Sequence, residues 1–320
     1  MKYGLLKYSR SRNFGDQVQS LAAKQHLPQV DEYLDRDYLC DYRSDEKVKL
    51  IMNGWFMAIP QNWPPSDSIE PLLTSFHITH DFNSKDTLFT PKALEFYKRN
   101  EPIGCRDYYT VELMKSHGVD AYYSSCLTLT LNRDNFTSDK SPDDKIYFVD
   151  VLYKVGGLST NFFKRWKWKW IIRQIFPPEL LEKAEFMTQV VPKKTSEEKK
   201  FKIAQEALEK YARAGQVITS RIHCALPCTA FGTRVLFIDG GLDENTDTTR
   251  LQGVAEYFNS VNVGKVIKSY RGFLKEYFAK FTYTNPLNID WDNLPDNPNN
   301  HLEVASKLQE SCRRFVDSDF

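Results

Sequence analysis

Two hydrophobic periods alternate along this chain. Short apolar runs, the signature of strands buried in a sheet, occur at Lys2–Tyr8, Val48–Met52, Leu72–Thr79, Ile103–Cys105 and Val119–Tyr123. They recur at Ile146–Val151, Phe186–Val191, Val217–Ser220 and Val235–Asp239. Between them the spacing lengthens to three and four. Asp16–His26 places Val18, Leu21 and Ala22 on one face, and Arg106–Ser116 does the same with Tyr108, Val111 and Met114 before Gly118 ends it. Ser196–Arg213 carries Phe201, Ala204, Leu208 and Tyr211 at helical spacing, and Asn161–Phe176 reads as a further helix. Strands alternating with helices predict an α/β fold with doubly wound parallel sheets. The polar stretch Asn132–Lys145, which contains Pro142, reads as a linker. It divides the chain into two Rossmann-like domains, 1–138 and 139–284, facing a cleft. Residues 285–320 then form a surface loop (Asn285–Asn300) and a helix (His301–Phe315) that packs back on the first domain.

Composition narrows the function. Of 320 residues 41% are hydrophobic, enough for a substantial core. Lysine and arginine (43) nearly cancel aspartate and glutamate (42), which argues against a nucleic-acid partner. Aromatics make up 14%, a figure that large cores explain. The cysteines at 40, 105, 126, 224, 228 and 312 show no zinc-binding spacing and read as buried free thiols of a reducing compartment. No apolar run reaches the length of a membrane span or a signal peptide, so a cytoplasmic protein is expected.

The densest chemistry lies at Val217-Ile218-Thr219-Ser220-Arg221-Ile222-His223. A buried strand ends there, and Ser220 suits the N-cap of a following helix. Arg221 and His223 are thereby placed at the carboxyl end of a strand, beside free helix amides, where open α/β sheets bind ligands. Such a pair suits a phosphate or carboxylate. Asn13-Phe14-Gly15-Asp16 follows the first strand as a tight turn, and Ile103-Gly104-Cys105-Arg106-Asp107 is a very short strand entering a helix.

These three motifs, each at a strand-to-helix junction and in this order, resemble the polysaccharide pyruvyl transferase family. That resemblance spans most of the chain. It implies a fold like that of two-domain GT-B glycosyltransferases, with the acceptor on the N-terminal side and the donor on the C-terminal side. It also implies transfer of a pyruvyl unit from phosphoenolpyruvate onto two hydroxyls of one sugar, giving a cyclic ketal and phosphate. Carried over residue by residue, Arg106, Arg221 and His223 match the family's contacts to the donor, with Ser220 and Ile222 beside them. No resident cofactor or metal is implied. Three departures stand out. Asn53-Gly54-Trp55 occupies the place of a Gly-rich loop, Ser124-Ser125-Cys126 the place of an aspartate, and Pro227 lies four residues beyond His223. Pro227 fits a helix only if that helix starts late, near Cys224–Leu226.

Each candidate has a structural alternative. Arg106 and Arg221 clamp a trianionic donor or form ion pairs with nearby acids. His223 holds the leaving phosphate and passes it a proton, or bonds a backbone carbonyl at a helix start. Asp16 is the base for the sugar hydroxyl or a helix cap, with Asn13 and Gly15 shaping its turn. The proton donor is one of His223, Asp107 and Asp16. His77 and His80 flank the end of a strand, where His77 can meet the acceptor. Phe162–Arg173 is basic and Trp-rich, with Phe162, Phe163, Trp166 and Trp170 along one side. It reads as a helix covering the second sheet or as a peripheral contact with an anionic membrane. The expected partners are phosphoenolpyruvate and a glycan or glycolipid. The competing function is a glycosyltransferase of the same architecture, with Arg221 and His223 gripping a nucleotide sugar.

Overall fold

A computed structural model describes residues 1–80, 85–139, 141–240, 249–265, 283 and 285–318. It is an α/β protein with two parallel sheets. The first contains β1 (Lys2–Lys7), β2 (Glu32–Asp35), β3 (Val48–Trp55), β4 (Ile69–His77), β5 (Ile103–Cys105) and β6 (Ala121–Tyr123), in the order β2-β1-β3-β4-β5-β6. The second contains β7 (Ile146–Val149), β8 (Ala184–Met187), β9 (Gln216–Thr219), β10 (Arg234–Asp239) and β11 (Asn259–Asn262), in the order β11-β10-β9-β7-β8. Both sheets reverse their winding beside their own first strand, at β1/β3 and at β7/β9. In such sheets the crevice at the carboxyl ends of the two strands flanking the reversal receives ligands.

Period-two burial explains why these strands read as continuous apolar runs. Leu5 and Leu6 feed opposite faces of the first sheet, and Val217 and Ile218 opposite faces of the second. One hydrophobic cluster runs from Leu5 and Ile51 of the first sheet to Val149, Val217 and Phe237 of the second. Between them it takes in α1 (Gly15–Lys24), α6 (Glu197–Arg213) and α7 (Ile222–Phe231). The outer face of the first sheet packs on α2 (Pro91–Arg99) and α3 (Tyr108–Ser116). That of the second packs on α4 (Phe162–Ile175) and α5 (Pro178–Lys183).

The expected elements are present with shifted ends, and four more appear: β2, β11, α2 and α5. The expected strand Phe186–Val191 is β8, which starts two residues earlier and ends four earlier; Val190 instead makes an isolated antiparallel bridge with Asn13. That bridge joins the two halves directly, with Phe14 N donating to Gln189 O and Val191 N to Arg12 O. Tyr108 is exposed rather than part of the buried face of α3. Residue 284, the expected end of the second domain, and Lys140, within the expected linker, lie outside the described residues. Five of the six free cysteines are buried, and Cys40 is partly so.

The terminal helix, α8 (His301–Asp317), buries Ala305, Leu308 and Cys312 in the shared cluster. Its carboxyl end is fastened to β3 by Lys49, whose side chain is buried. Lys49 Nζ donates to Phe315 O at 2.7 Å, Val316 O at 3.1 Å and Ser318 O at 2.6 Å. A cation there meets the negative end of the helix dipole and its unpaired carbonyls. Lys49→Met keeps the length of the side chain and removes those bonds. It is expected to lower unfolding stability by about 1.5–3 kcal/mol, the range for hydrogen bonds to a charged group. Equilibrium urea unfolding measures this, and an unchanged midpoint contradicts the clamp.

Candidate active site

The carboxyl ends of both sheets carry the chemistry. β4 ends on His77, β5 leads into Arg106 and Asp107, β7 into Asp150, and β9 into Arg221 and His223.

Asp107 caps α3, its Oδ1 accepting from Thr110 N at 2.9 Å and Thr110 Oγ1 at 2.7 Å. Its Oδ2 lies 2.6 Å from His77 Nδ1. Burial opposes the charge on Asp107, but the bond and charge of His77, the Arg106 guanidinium and Thr110 outweigh it and lower the carboxyl pKa. Burial, reinforced by Arg106, pushes the His77 imidazole down to about 4 against the opposing pull of Asp107. The pair is therefore a neutral imidazole donating Nδ1–H to a carboxylate. Among the described residues no hydrogen bond reaches Nε2, which keeps its lone pair, the arrangement of an oriented general base.

Because Thr110 and His77 occupy the Asp107 oxygens, Arg106 gets little from its neighbour. Its Nε is 3.8 Å from Asp107 Oδ2 and, though buried, has no hydrogen-bond partner. A buried donor without an acceptor is costly unless a ligand supplies one.

Arg221 is held differently. Its Nε donates to Asp150 Oδ2 at 2.8 Å, and its guanidinium carbon lies 3.7 Å from the centre of the Tyr153 ring. Asp150 Oδ2 also accepts from Gln189 N at 2.9 Å. With Nε paired and one face stacked, the two terminal nitrogens meet no hydrogen-bond partner among the described residues, and that edge has the geometry that grips a phosphate or carboxylate with two bonds. Asp150 and Arg221 follow β7 and β9, the winding reversal of the second sheet.

His223 lies in the first turn of α7, at a kink where its ψ is 20°. Pro227 is the cause. It has no N–H to give the carbonyl four residues earlier, and Gln189 Nε2 bonds that His223 carbonyl instead, at 3.1 Å. The helix thus starts at Ile222, earlier than expected, and tolerates its proline by bending. His223 Nε2 is buried without a partner. Burial, and then the charges of Arg106 and Arg250 with smaller contributions from His77 and Arg221, drive its pKa well below the ordinary value. Residues from both sheets thus share one electrostatic neighbourhood around a neutral imidazole.

The turn after β1 reaches the same place. Asn13 Oδ1 accepts from Gly15 N at 3.1 Å, and a Cβ on Gly15 would stand 3.1 Å from Gln189 Oε1. Gly15 lets the turn lie against the glutamine that holds His223. Asp16 is otherwise engaged: its carboxylate lies 3.9 Å from Arg36 Nη1 and accepts weakly from Gln19 at 3.4 Å. It is not the helix cap, a position that falls on Phe14.

Two expectations are corrected. Ser220 is not the cap of α7, whose N-cap residue is Arg221. Ser220 Oγ donates to Ile238 O at 2.6 Å and accepts from Leu152 N at 3.0 Å, stitching strands together. The Ile222 side chain is buried in the apolar cluster, so only its backbone can face a ligand. Ser124 is structural as well, accepting from Ser75 N and donating to Cys105 O. Asp150, Tyr153, Gln189 and Arg250 were not foreseen. Asp150 and Gln189 follow β7 and β8, and the ends of those strands were the one available signal.

Among the described residues no group of three or more His, Cys, Asp or Glu side chains is arranged to hold a metal ion, and no helix is long and apolar enough to cross a membrane.

A family model for polysaccharide pyruvyl transferases matches residues 13–241, from the turn after β1 to just past β10. No curated protein sequence matches the chain. Among solved structures, a functionally uncharacterised protein from Klebsiella pneumoniae subsp. pneumoniae NTUH-K2044 is similar at 14% identity and a TM-score of 0.44, over 88% of this chain and 92% of that one. On the family match, which includes all three junction motifs, the chain belongs to the polysaccharide pyruvyl transferases and is a transferase.

Proposed function

We propose that the enzyme moves the pyruvyl unit of phosphoenolpyruvate onto two hydroxyls of one sugar in a glycan. The observation that carries this reading is His223 Nε2, buried, unpartnered and surrounded by cationic groups. Arg106 and Arg221 would hold the phosphate and carboxylate of the donor between two Rossmann-like halves, as in GT-B proteins. No resident cofactor is assigned, because the donor carries its own leaving group.

After burial, the arginine charges do most to keep His223 neutral, and a bound trianion would offset them. The imidazole would then take up a proton and stand ready to protonate the donor's methylene carbon. His77 Nε2, oriented by Asp107, would accept the proton of the attacking hydroxyl. The sugar oxygen bonds to the central carbon, the carbon–oxygen bond to phosphate breaks, and the second hydroxyl closes the ring. Of the two hydroxyl protons, one is balanced by the new methyl group and the other leaves with phosphate. Asp107, whose carboxyl pKa is lowered by its partners, would serve as the orienting carboxylate rather than the acid. Asn13 and Asp16 would line the acceptor side, Asp16 by exchanging its long contact with Gln19 for the sugar.

Phosphoenolpyruvate is expected to raise the melting temperature more than any nucleotide sugar, and its binding to take up about one proton near pH 7. Calorimetry in buffers of different ionisation enthalpy counts that proton. Stabilisation by a nucleotide sugar but not by phosphoenolpyruvate would sink the reading in favour of a glycosyltransferase. The glycan product gains one pyruvate less one water, which mass spectrometry reads.

The protein would work in the cytoplasm, where its free thiols stay reduced, and touch an anionic membrane through α4. Phe162 and Phe163 are 73% and 74% exposed, contrary to a buried stripe, while Trp170, Ile171, Ile172 and Ile175 cover the second sheet. Five basic and no acidic side chains lie along the helix. Phe162→Ser with Phe163→Ser should abolish sedimentation with phosphatidylglycerol vesicles and leave neutral vesicles unbound. Equal sedimentation of the wild type with neutral vesicles counts against the contact.

A further inference from the structure

A cavity of about 600 Å³ lies between α4, β8 and the loop 151–160, with Asp150 and Tyr153, the two residues that hold Arg221, in its wall. Its remaining walls take no part in the transfer chemistry proposed above. Its walls combine two kinds of surface. Tyr153, Trp168 and Phe186 offer ring faces, and Arg165, Lys169 and Arg173 of α4 supply charge. Its one acid among the described residues is Asp150, already committed to Arg221 and to Gln189 N.

The loop packs closely against α4. Trp168 Nε1 donates to Val151 O at 2.8 Å, which pins the indole against the loop. Gly156, at φ 131°, lies so close to α4 that a Cβ there would stand 2.5 Å from the Lys164 carbonyl oxygen. A Cβ on Gly157 would meet the Trp168 indole at 2.9 Å. Loop and helix thus meet without space between them, so the walls are in contact without a ligand, which lowers the ordering cost of binding.

We propose that this cavity binds a glycosyl phosphate or diphosphate, with the sugar against the aromatic walls and the phosphates on Arg165, Lys169 and Arg173. Three cations without a free acid select a multiply charged anion, and the guanidinium groups favour phosphate oxygens. Because Asp150 and Tyr153, which hold Arg221, also wall the cavity, its occupant would be the charged end of the acceptor. That identification rests on the transfer reading, whereas the binding itself does not. The diphosphate comes from a nucleotide or from a prenyl lipid, and both present the same group.

The test is calorimetric titration of the intact protein with inorganic pyrophosphate, uridine diphosphate glucose and farnesyl diphosphate. It is repeated on the double variant Arg165→Ala with Arg173→Ala. Both side chains are exposed, so the variant should fold, and unchanged phosphoenolpyruvate binding verifies that it has. The expected result is saturable binding of at least one probe, weakened about tenfold or more in the variant and not displaced by phosphoenolpyruvate. Tighter binding of the uridine compound assigns a nucleotide-linked ligand, and tighter binding of the farnesyl compound a lipid-linked one. Absence of binding by all three probes, equal affinity in the variant, or displacement by phosphoenolpyruvate overturns the proposal. Binding is read without turnover, so an enzyme that binds these probes but transfers no pyruvyl group contradicts only the proposed reaction.

Discussion

Arg221→Lys is expected to lower kcat/KM for phosphoenolpyruvate by about 100-fold or more, the loss seen when a preorganised donor to developing charge is removed. The substitution keeps the positive charge and loses the shape. Lysine has one point of charge, and Asp150 already claims it through the contact now made by Nε. An ammonium group drawn to Asp150 leaves no second edge for the donor and no flat face for Tyr153. Lysine is the sharper test than alanine. Arg221→Ala would leave the Asp150 carboxylate, whose side chain is 1% exposed, without its counter-charge. That cost is about 3–5 kcal/mol, so lost activity would then be confused with lost folding. Steady-state kinetics together with urea unfolding separate the two. If Arg221→Lys keeps activity within about threefold of wild type, Arg221 is only the partner of Asp150, and the donor site lies elsewhere.

Acidification from pH 7 to pH 5 should cost the fold about 2 kcal/mol through His77 alone. In the fold its pKa is depressed to about 4, first by burial and then by Arg106. In the unfolded chain it titrates near the ordinary value of about 6.5. Between those values the unfolded chain binds a proton that the folded protein refuses. Stability is therefore full above the unfolded value and declines as pH falls toward the folded one. His26, pushed down to about 4 by burial, acts in the same direction, as does His223. Asp107 does not offset the loss at pH 5. Its lowered pKa supports the fold above the ordinary carboxylate range of about 4, and that support fails only below it. Urea midpoints at pH 7 and pH 5 measure the effect, and His77→Asn should flatten the pH dependence. Equal midpoints for the wild type would mean that the buried imidazoles are charged in the fold.

Legibility along the chain followed burial. The central strands β1, β3, β4, β7, β9 and β10 each feed two apolar faces, and their composition announces them. The missed strands β2 and β11 are edges, with sequences Glu-Tyr-Leu-Asp and Asn-Ser-Val-Asn. An edge strand can be short and polar because its neighbour supplies the hydrogen bonds. On α4 the spacing suggested one aromatic side, yet Phe162 and Phe163 point to solvent while Trp170 is buried. Aromatic periodicity alone cannot say which face has something to pack against.

The three junction motifs, with Arg106, Arg221 and His223 in them, were visible in the linear chain because each combines a local pattern with a chemical side chain. So were the α/β class and the family. What the chain order could not show is which oxygen each cation would find. Asp107 is adjacent to Arg106 in sequence but gives its oxygens to His77 and Thr110, and so leaves Arg106 Nε unpaired. Asp150, 71 residues from Arg221, is the acid that holds it. Gln189 rescues a carbonyl orphaned by Pro227 and so sets the turn that carries His223. Hydrogen bonds and charges act over a few ångströms of space. Partners that folding brings from distant strands therefore decide which groups remain for a ligand.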